Sequence, residues 1–170
     1  MPAPKGLGND FDVLCGWTPV DLGTAGATGA RINMENYGRV SFYVYLATGT
    51  AAEAPTFTLQ EHTAATAGTS TNLAIIDEYF QKEEATLDGD ETWTRVTQTA
   101  AATVTDADWD DANEVLVQVA SVDADQLSDG YEWVSLNSDD PGTAHIGASF
   151  AVASKLRVQR APQNLPQPNA

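Results

Sequence analysis

At 170 residues and a net charge of −16, the chain is long enough for one self-sufficient core, and a domain of this size buries roughly 70% of the surface its unfolded chain exposes. Its single cysteine, Cys15, excludes an intrachain disulfide, and no run approaches the roughly 20 apolar residues of a membrane-spanning helix, so no membrane partner is expected. The charge is regional: most of the 24 acidic residues fall between Asp77 and Asp140, where only Lys82 and Arg95 oppose them, and so negative a body excludes the phosphate backbone of free nucleic acid as a partner.

Residues 1–31 are rich in Gly, Pro, Ala and Thr, with Gly23, Gly26 and Gly29 in a stretch without sustained period; they are read as an irregular N-terminal arm. Asn9 and Asp10 stand where a secretory leader would carry its apolar run. Leu14 and Gly16 offer Cys15 no activating base, so the thiol is read as an inert small residue. A β domain is expected over residues 32–160. Its first strong element is Val40 to Leu46, with aliphatics and Phe42 on one face and Tyr43 and Tyr45 on the other. Both faces need cover, which predicts a central strand or an interface strand, with Tyr43 and Tyr45 at an oligomer interface.

Phe57, Leu59 and Glu61 alternate with Thr58, Gln60 and His62 as in a half-buried strand, and a Thr/Ala/Gly loop follows to Asn72. Leu73 to Glu84 fits both a helical stripe and a strand alternation, and is read as a strand. Asp88-Gly89-Asp90 signals a turn before a short strand at Trp93 to Val96. Thr105 and Asp108 have the spacing of a capping box, which predicts one helical turn near Asp106 to Ala112. Glu114 to Val122 and Tyr131 to Leu136 read as two antiparallel strands, and Ile146 to Val158 as a long last one. Residues 161–170, with Pro162, Pro166 and Pro168, cannot pair in a sheet and are read as an extended tail. Many short strands without long intervening helices predict an all-β domain, an antiparallel β-sandwich or barrel-like sheet.

Chemical signatures are sparse. Gly147 to Ala151 lacks the last glycine of a nucleophile elbow, and the glycines of the arm lack the Lys-Ser/Thr of a phosphate loop. His62 and His145 stand without ligand spacing and are read as surface or satisfied residues. Asp106, Asp108, Asp110 and Asp111 could converge on calcium, but Asp111 replaces the turn glycine and Val117 the bidentate glutamate of an EF-hand; a solvated acidic turn is expected, with no metal and no cofactor. Trp17, Trp93, Trp109 and Trp133 could form a carbohydrate-stacking platform, but Trp93 and Trp133 read as core residues and only Trp109, on the acidic turn, as exposed. No catalytic residue is assigned and no enzyme is expected.

Four segments nevertheless form a pattern: Asn36-Tyr37-Gly38-Arg39-Val40-Ser41-Phe42, Glu91-Thr92-Trp93-Thr94-Arg95-Val96, Leu127-Ser128-Asp129-Gly130-Tyr131, and Leu156 through Leu165. From about Asn33 to Leu165 the chain resembles small structural proteins of tailed bacteriophages and prophages. The resemblance implies a head decoration (capsid cement) protein, made in the bacterial cytoplasm and bound to the outer capsid surface. Its implied partners are the major capsid protein and itself, as a homotrimer; the alternatives are a tail or connector component, or a carbohydrate-binding β-sandwich module. After Asp140 no acid occurs, so Lys155, Arg157 and Arg160, with Pro162 and Pro166, are the expected capsid contacts, set against an acidic body that orients approach.

Overall fold

The computed structural model describes residues 6–49, 54–109 and 113–166. Among them are eleven strands: β1 (Phe11–Asp21), β2 (Ile32–Asn33), β3 (Tyr37–Leu46), β4 (Phe57–His62), β5 (Ser70–Asn72), β6 (Ile76–Glu84), β7 (Thr94–Ala101), β8 (Thr103–Val104), β9 (Glu114–Asp123), β10 (Trp133–Ser138) and β11 (Ile146–Leu156). Six form one antiparallel sheet in the order β1-β11-β3-β9-β6-β7, and five form a second in the order β2-β10-β4-β5, with β8 also on β4. The two sheets pack as a sandwich and neither closes into a barrel.

β3 sits inside the larger sheet because its side chains demand it. Val40, Phe42, Val44 and Leu46 point inward and are fully buried, meeting Val115, Val117, Val119 and Val122 of β9. The second sheet contributes Ile32, Phe57, Leu59, Val134 and Leu136 to the same core. Each such side chain contributes about 1.5–3 kcal/mol by leaving water. The alternation of β9 slips once. Val119 and Ala120 are both buried at a register shift opposite Phe42 and Tyr43, a bulge that inserts one residue and sharpens the local twist.

Of the expected N-terminal arm over 1–31, the described residues 6–31 include a strand and a helical turn. Phe11–Asp21 is an edge strand paired antiparallel with β11 along its length. It escapes the alternation rule because register shifts on either side of Trp17 break its period and because Asp12 is one of its inward residues. That buried carboxylate is satisfied by the Tyr37 hydroxyl, which donates to it at 2.9 Å. Leu14 and Trp17 anchor the strand in the core. A single helical turn, Leu22–Ala25, follows, capped by the Asp21 side chain, and Ala27 bridges to Ser138. The β domain therefore begins near residue 11 rather than 32.

Three further expectations change. Glu114 to Val122 and Tyr131 to Leu136 do not pair with each other: β9 lies between β3 and β6, and β10 in the opposite sheet between β2 and β4. The link between them crosses the sandwich and is pinned by Glu61, a buried carboxylate that accepts from the Ser128 backbone N–H (2.8 Å) and hydroxyl (2.6 Å). The helical turn is a short 3-10 element, Ala107–Trp109, whose cap is Asp106, accepting from the Asp108 N–H, rather than Thr105. The tail is not extended throughout. Pro162–Asn164 makes a 3-10 turn between residues in polyproline-like conformation; residues 167–170, including Pro168, lie outside the described residues. Leu73 to Glu84 resolves to strand over Ile76–Glu84.

Candidate interaction surfaces

Both ends of the described chain meet at one end of the sandwich. The Arg160 N–H donates to the Gly8 carbonyl at 2.9 Å. Gly8 has φ +81°, and a Cβ there would lie 2.3 Å from the Arg160 carbonyl oxygen, so both the turn and the close approach require glycine. The turn is closed by Gly6, whose carbonyl accepts from Asn9, Asp10 and Phe11. Leu7, Phe11 and Val158 are exposed apolar residues in these two segments, beside exposed Arg157 and Arg160 and half-buried Pro162 and Pro166.

The three bases differ in their commitments. Lys155 lies in the left-handed region at φ 52° and its ammonium donates to Asp123 at 2.8 Å. Arg39 donates to the same carboxylate through Nε at 2.9 Å and through its terminal nitrogen. The hydrogen bonds from Arg39 and then Lys155 hold the Asp123 carboxyl down at about 2. Lys155 thus already serves its own body. Among the described residues no ion pair engages Arg157 or Arg160. Arg157 stands between two hollows, one of about 350 Å³ reaching Gly38, Asp123 and Asp125 and one of about 210 Å³ reaching Met34, Leu127 and Tyr131.

A second surface is the outer face of the six-stranded sheet. Register sets Cys15, Phe150 and Tyr43 side by side across β1, β11 and β3, and continues through Gln118 to Phe80. Tyr43 and Phe150 stack with ring centroids 5.2 Å apart. Tyr45 is exposed, flanked by Ala148 and Leu116, and Val13 and Val152 pair at the same face. Tyr43 and Tyr45 therefore occupy an apolar face that no element among the described residues covers. Burial raises both phenol pKa values, aided at Tyr45 by its bond to Glu114. Cys15 is exposed here.

The tryptophans exchange the places expected of them. Trp109 is 1% exposed. Its Nε1 donates to Gln81 Oε1 at 2.8 Å, and it packs on Phe57 and edge-on to Tyr79. Trp93 is instead 46% exposed, with the Lys82 ammonium 5.5 Å from its ring centroid, and Trp133 is half-buried. A stacking platform at Trp109 is thereby overturned. Of the acidic turn, Asp106 is engaged inward by the Tyr79 hydroxyl at 2.6 Å, Asp108 is exposed, and Asp110 and Asp111 lie outside the described residues. A different trio, Glu84, Asp90 and Glu91, brings carboxylate oxygens within 4.8 Å of one another. Glu91 there accepts from the backbone N–H groups of Asp88 and Gly89, which makes it the clasp of a turn.

Both histidines are buried. His62 is bonded through Nδ1 to Ser70 (2.8 Å) and through Nε2 to Ser135 (2.9 Å), and burial lowers its pKa to about 4. This satisfied histidine is what the isolated sequence position suggests. His145 is buried where its backbone N–H donates to Asp21. No helix among the described residues is long and apolar enough to cross a membrane. No protein-family model matches the chain, and no curated protein matches it.

Proposed function

We propose that the chain is a structural protein of a tailed-phage virion that binds the outer capsid surface and stabilises it. The observation that supports this reading is the convergence of an N-terminal and a C-terminal segment into one patch: exposed Arg157 and Arg160 with Leu7, Phe11, Val158, Pro162 and Pro166, to which the C-terminal segment contributes no acid and the N-terminal one Asp10. Such a molecule approaches an acidic shell with one end forward, because the opposite pose sets like charges together. The resemblance of the four framework segments supplies the phage assignment. Tyr43 and Tyr45 are placed at a self-association contact, threefold in that resemblance, and many modest contacts on neighbouring capsid subunits then add as avidity.

The test is binding to undecorated capsids, scored by co-sedimentation and by cryo-EM location. Arg157→Glu with Arg160→Glu should weaken decoration mainly through slower, more salt-sensitive association. Removing residues 161–170 should weaken it through lost contacts while the melting temperature stays close to that of the intact chain. Unchanged decoration by both variants at low and high salt would refute docking through this end.

A further inference from the structure

Beside the first residues of β7 lies a hollow of about 550 Å³ whose walls are Gln81, Thr92, Thr94 and four acids, Glu83, Glu84, Glu91 and Asp108. The donors that reach its carboxylates are neutral: Glu83 accepts from the Asn113 amide, and Glu91 from the backbone N–H groups of Asp88 and Gly89. Among the described residues no ion pair engages Glu84, Glu91 or Asp108. The nearby Asp90 charge pushes the Glu84 carboxyl above its usual range. β7 is itself the outermost strand of the six-stranded sheet. Thr94 to Thr97 form a regular ladder with Gln81 to Glu78, and an edge of this kind is a template for an added strand. The other edges are less open to one. β1 is interrupted by two register shifts and holds Pro19, both of which hinder pairing alongside, and β2 and β5 are two and three residues long.

We propose that this edge takes up an extended segment of a partner protein, strand to strand, that carries Lys or Arg at alternate positions and sets them over the hollow. Backbone and side chains select the occupant separately. The ladder of β7 needs an extended chain with free donors and acceptors, and the hollow needs cations. Alternation along the strand then decides where the cations stand. Thr94 pairs with Gln81 and shares its face of the sheet. Arg95 takes the opposite face, where the Lys82 ammonium lies 5.5 Å from the centroid of the Trp93 ring. An incoming side chain opposite Thr94, and the one two residues along beside Thr92, therefore point over the carboxylates. The residue between them falls beside Arg95, where a third cation would be repelled. An aliphatic side chain there covers an indole that is otherwise 46% exposed. Alternate cationic and aliphatic residues thus suit both faces, whereas a uniformly basic run suits only one. This contact is separate from those assigned to Arg157 and Arg160 and to Tyr43 and Tyr45, and it does not depend on capsid binding.

The experiment titrates the full chain with three capped synthetic peptides of equal charge, followed by calorimetry and by hydrogen exchange. The probe is Lys-Val-Lys-Val-Lys-Val-Lys. One control has the same residues in blocks, Lys-Lys-Lys-Lys-Val-Val-Val, and the other is the probe N-methylated throughout, which keeps its cations but cannot join a ladder. The alternating peptide should bind at least tenfold more tightly than either control, slow exchange across Thr94 to Thr97, and lose affinity as salt screens the attraction. Glu84→Gln with Asp108→Asn, two exposed positions, should weaken that binding at least tenfold with an unchanged melting temperature. Should the variant fail to fold, the ranking of the three peptides on the unaltered chain decides. Equal binding of all three, which is diffuse charge attraction, overturns the proposal, as does binding without protection of β7 or no binding at all. Protection of β7 that is indifferent to the Glu84 and Asp108 changes overturns it too, because the hollow then has no part in choosing the occupant.

Discussion

Trp109 and His62 show how single side chains decide this core. Trp109 fills space between Phe57 and Tyr79 and satisfies Gln81, itself 5% exposed, with its indole N–H. Trp109→Phe keeps an aromatic ring but leaves a gap and a buried carbonyl without its donor. A loss of about 2–3 kcal/mol is expected in urea unfolding, from the missing volume and the unsatisfied group. His62 adds a pH dependence. Its folded pKa of about 4 lies below its ordinary 6.5, so the unfolded chain binds the proton first and stability falls as pH drops from about 6.5 to 4. At about 1.4 kcal/mol per pH unit, the loss approaches 3 kcal/mol. Comparing urea midpoints at neutral and mildly acid pH should show a smaller drop for His62→Gln than for the unaltered chain. Asp123 acts lower: its carboxyl is held at about 2, against an ordinary 3.8, so its contribution is complete above about 3.8 and disappears as pH falls through 2.

At the scale of elements, β1 and the acidic turn give opposite expectations. Deleting residues 1–21 would remove only an arm if the strand were irregular, but it takes Leu14 and Trp17 from the core and uncovers β11. The truncated chain should lose cooperative thermal unfolding, which near-ultraviolet circular dichroism would reveal. A chelator should move the melting temperature little, because Asp106 already accepts from Tyr79 and from the Asp108 N–H. Much of the fold was legible where one rule governs most of a strand: β3, β4 and β11 could be read from their residues, and β9 as far as its slip at Val119 and Ala120. β1 was not, because two register shifts and an inward Asp12 destroy the period that reading depends on. The tryptophans misled for a related reason. Trp109 sits in an Asp-rich turn but is drawn inward by Gln81, whereas Trp93 precedes an edge strand most of whose residues are exposed. The meeting of Gly8 with Arg160 had no local signal, since it depends on two segments separated by nearly the whole chain.

For the whole molecule, the proposed self-association rests on the face along Phe80, Tyr43 and Phe150, which no element among the described residues covers. Tyr43→Glu with Tyr45→Glu places carboxylates on an apolar face of an already acidic protein. Self-association through that face should fall by an order of magnitude or more in light scattering, while the core, which these side chains point away from, keeps its far-ultraviolet spectrum. The joined ends carry a different consequence. Because Gly8 and Arg160 are hydrogen-bonded neighbours, a short peptide can splice the segment at Arg160 directly to the one at Gly8, and a new opening can be cut at the Asp88–Glu91 turn. Such a circular permutant should fold to the same sandwich. It would also hold the base-bearing end closed as a continuous loop and carry any fused cargo from the acidic turn, well separated in sequence from Arg157 and Arg160.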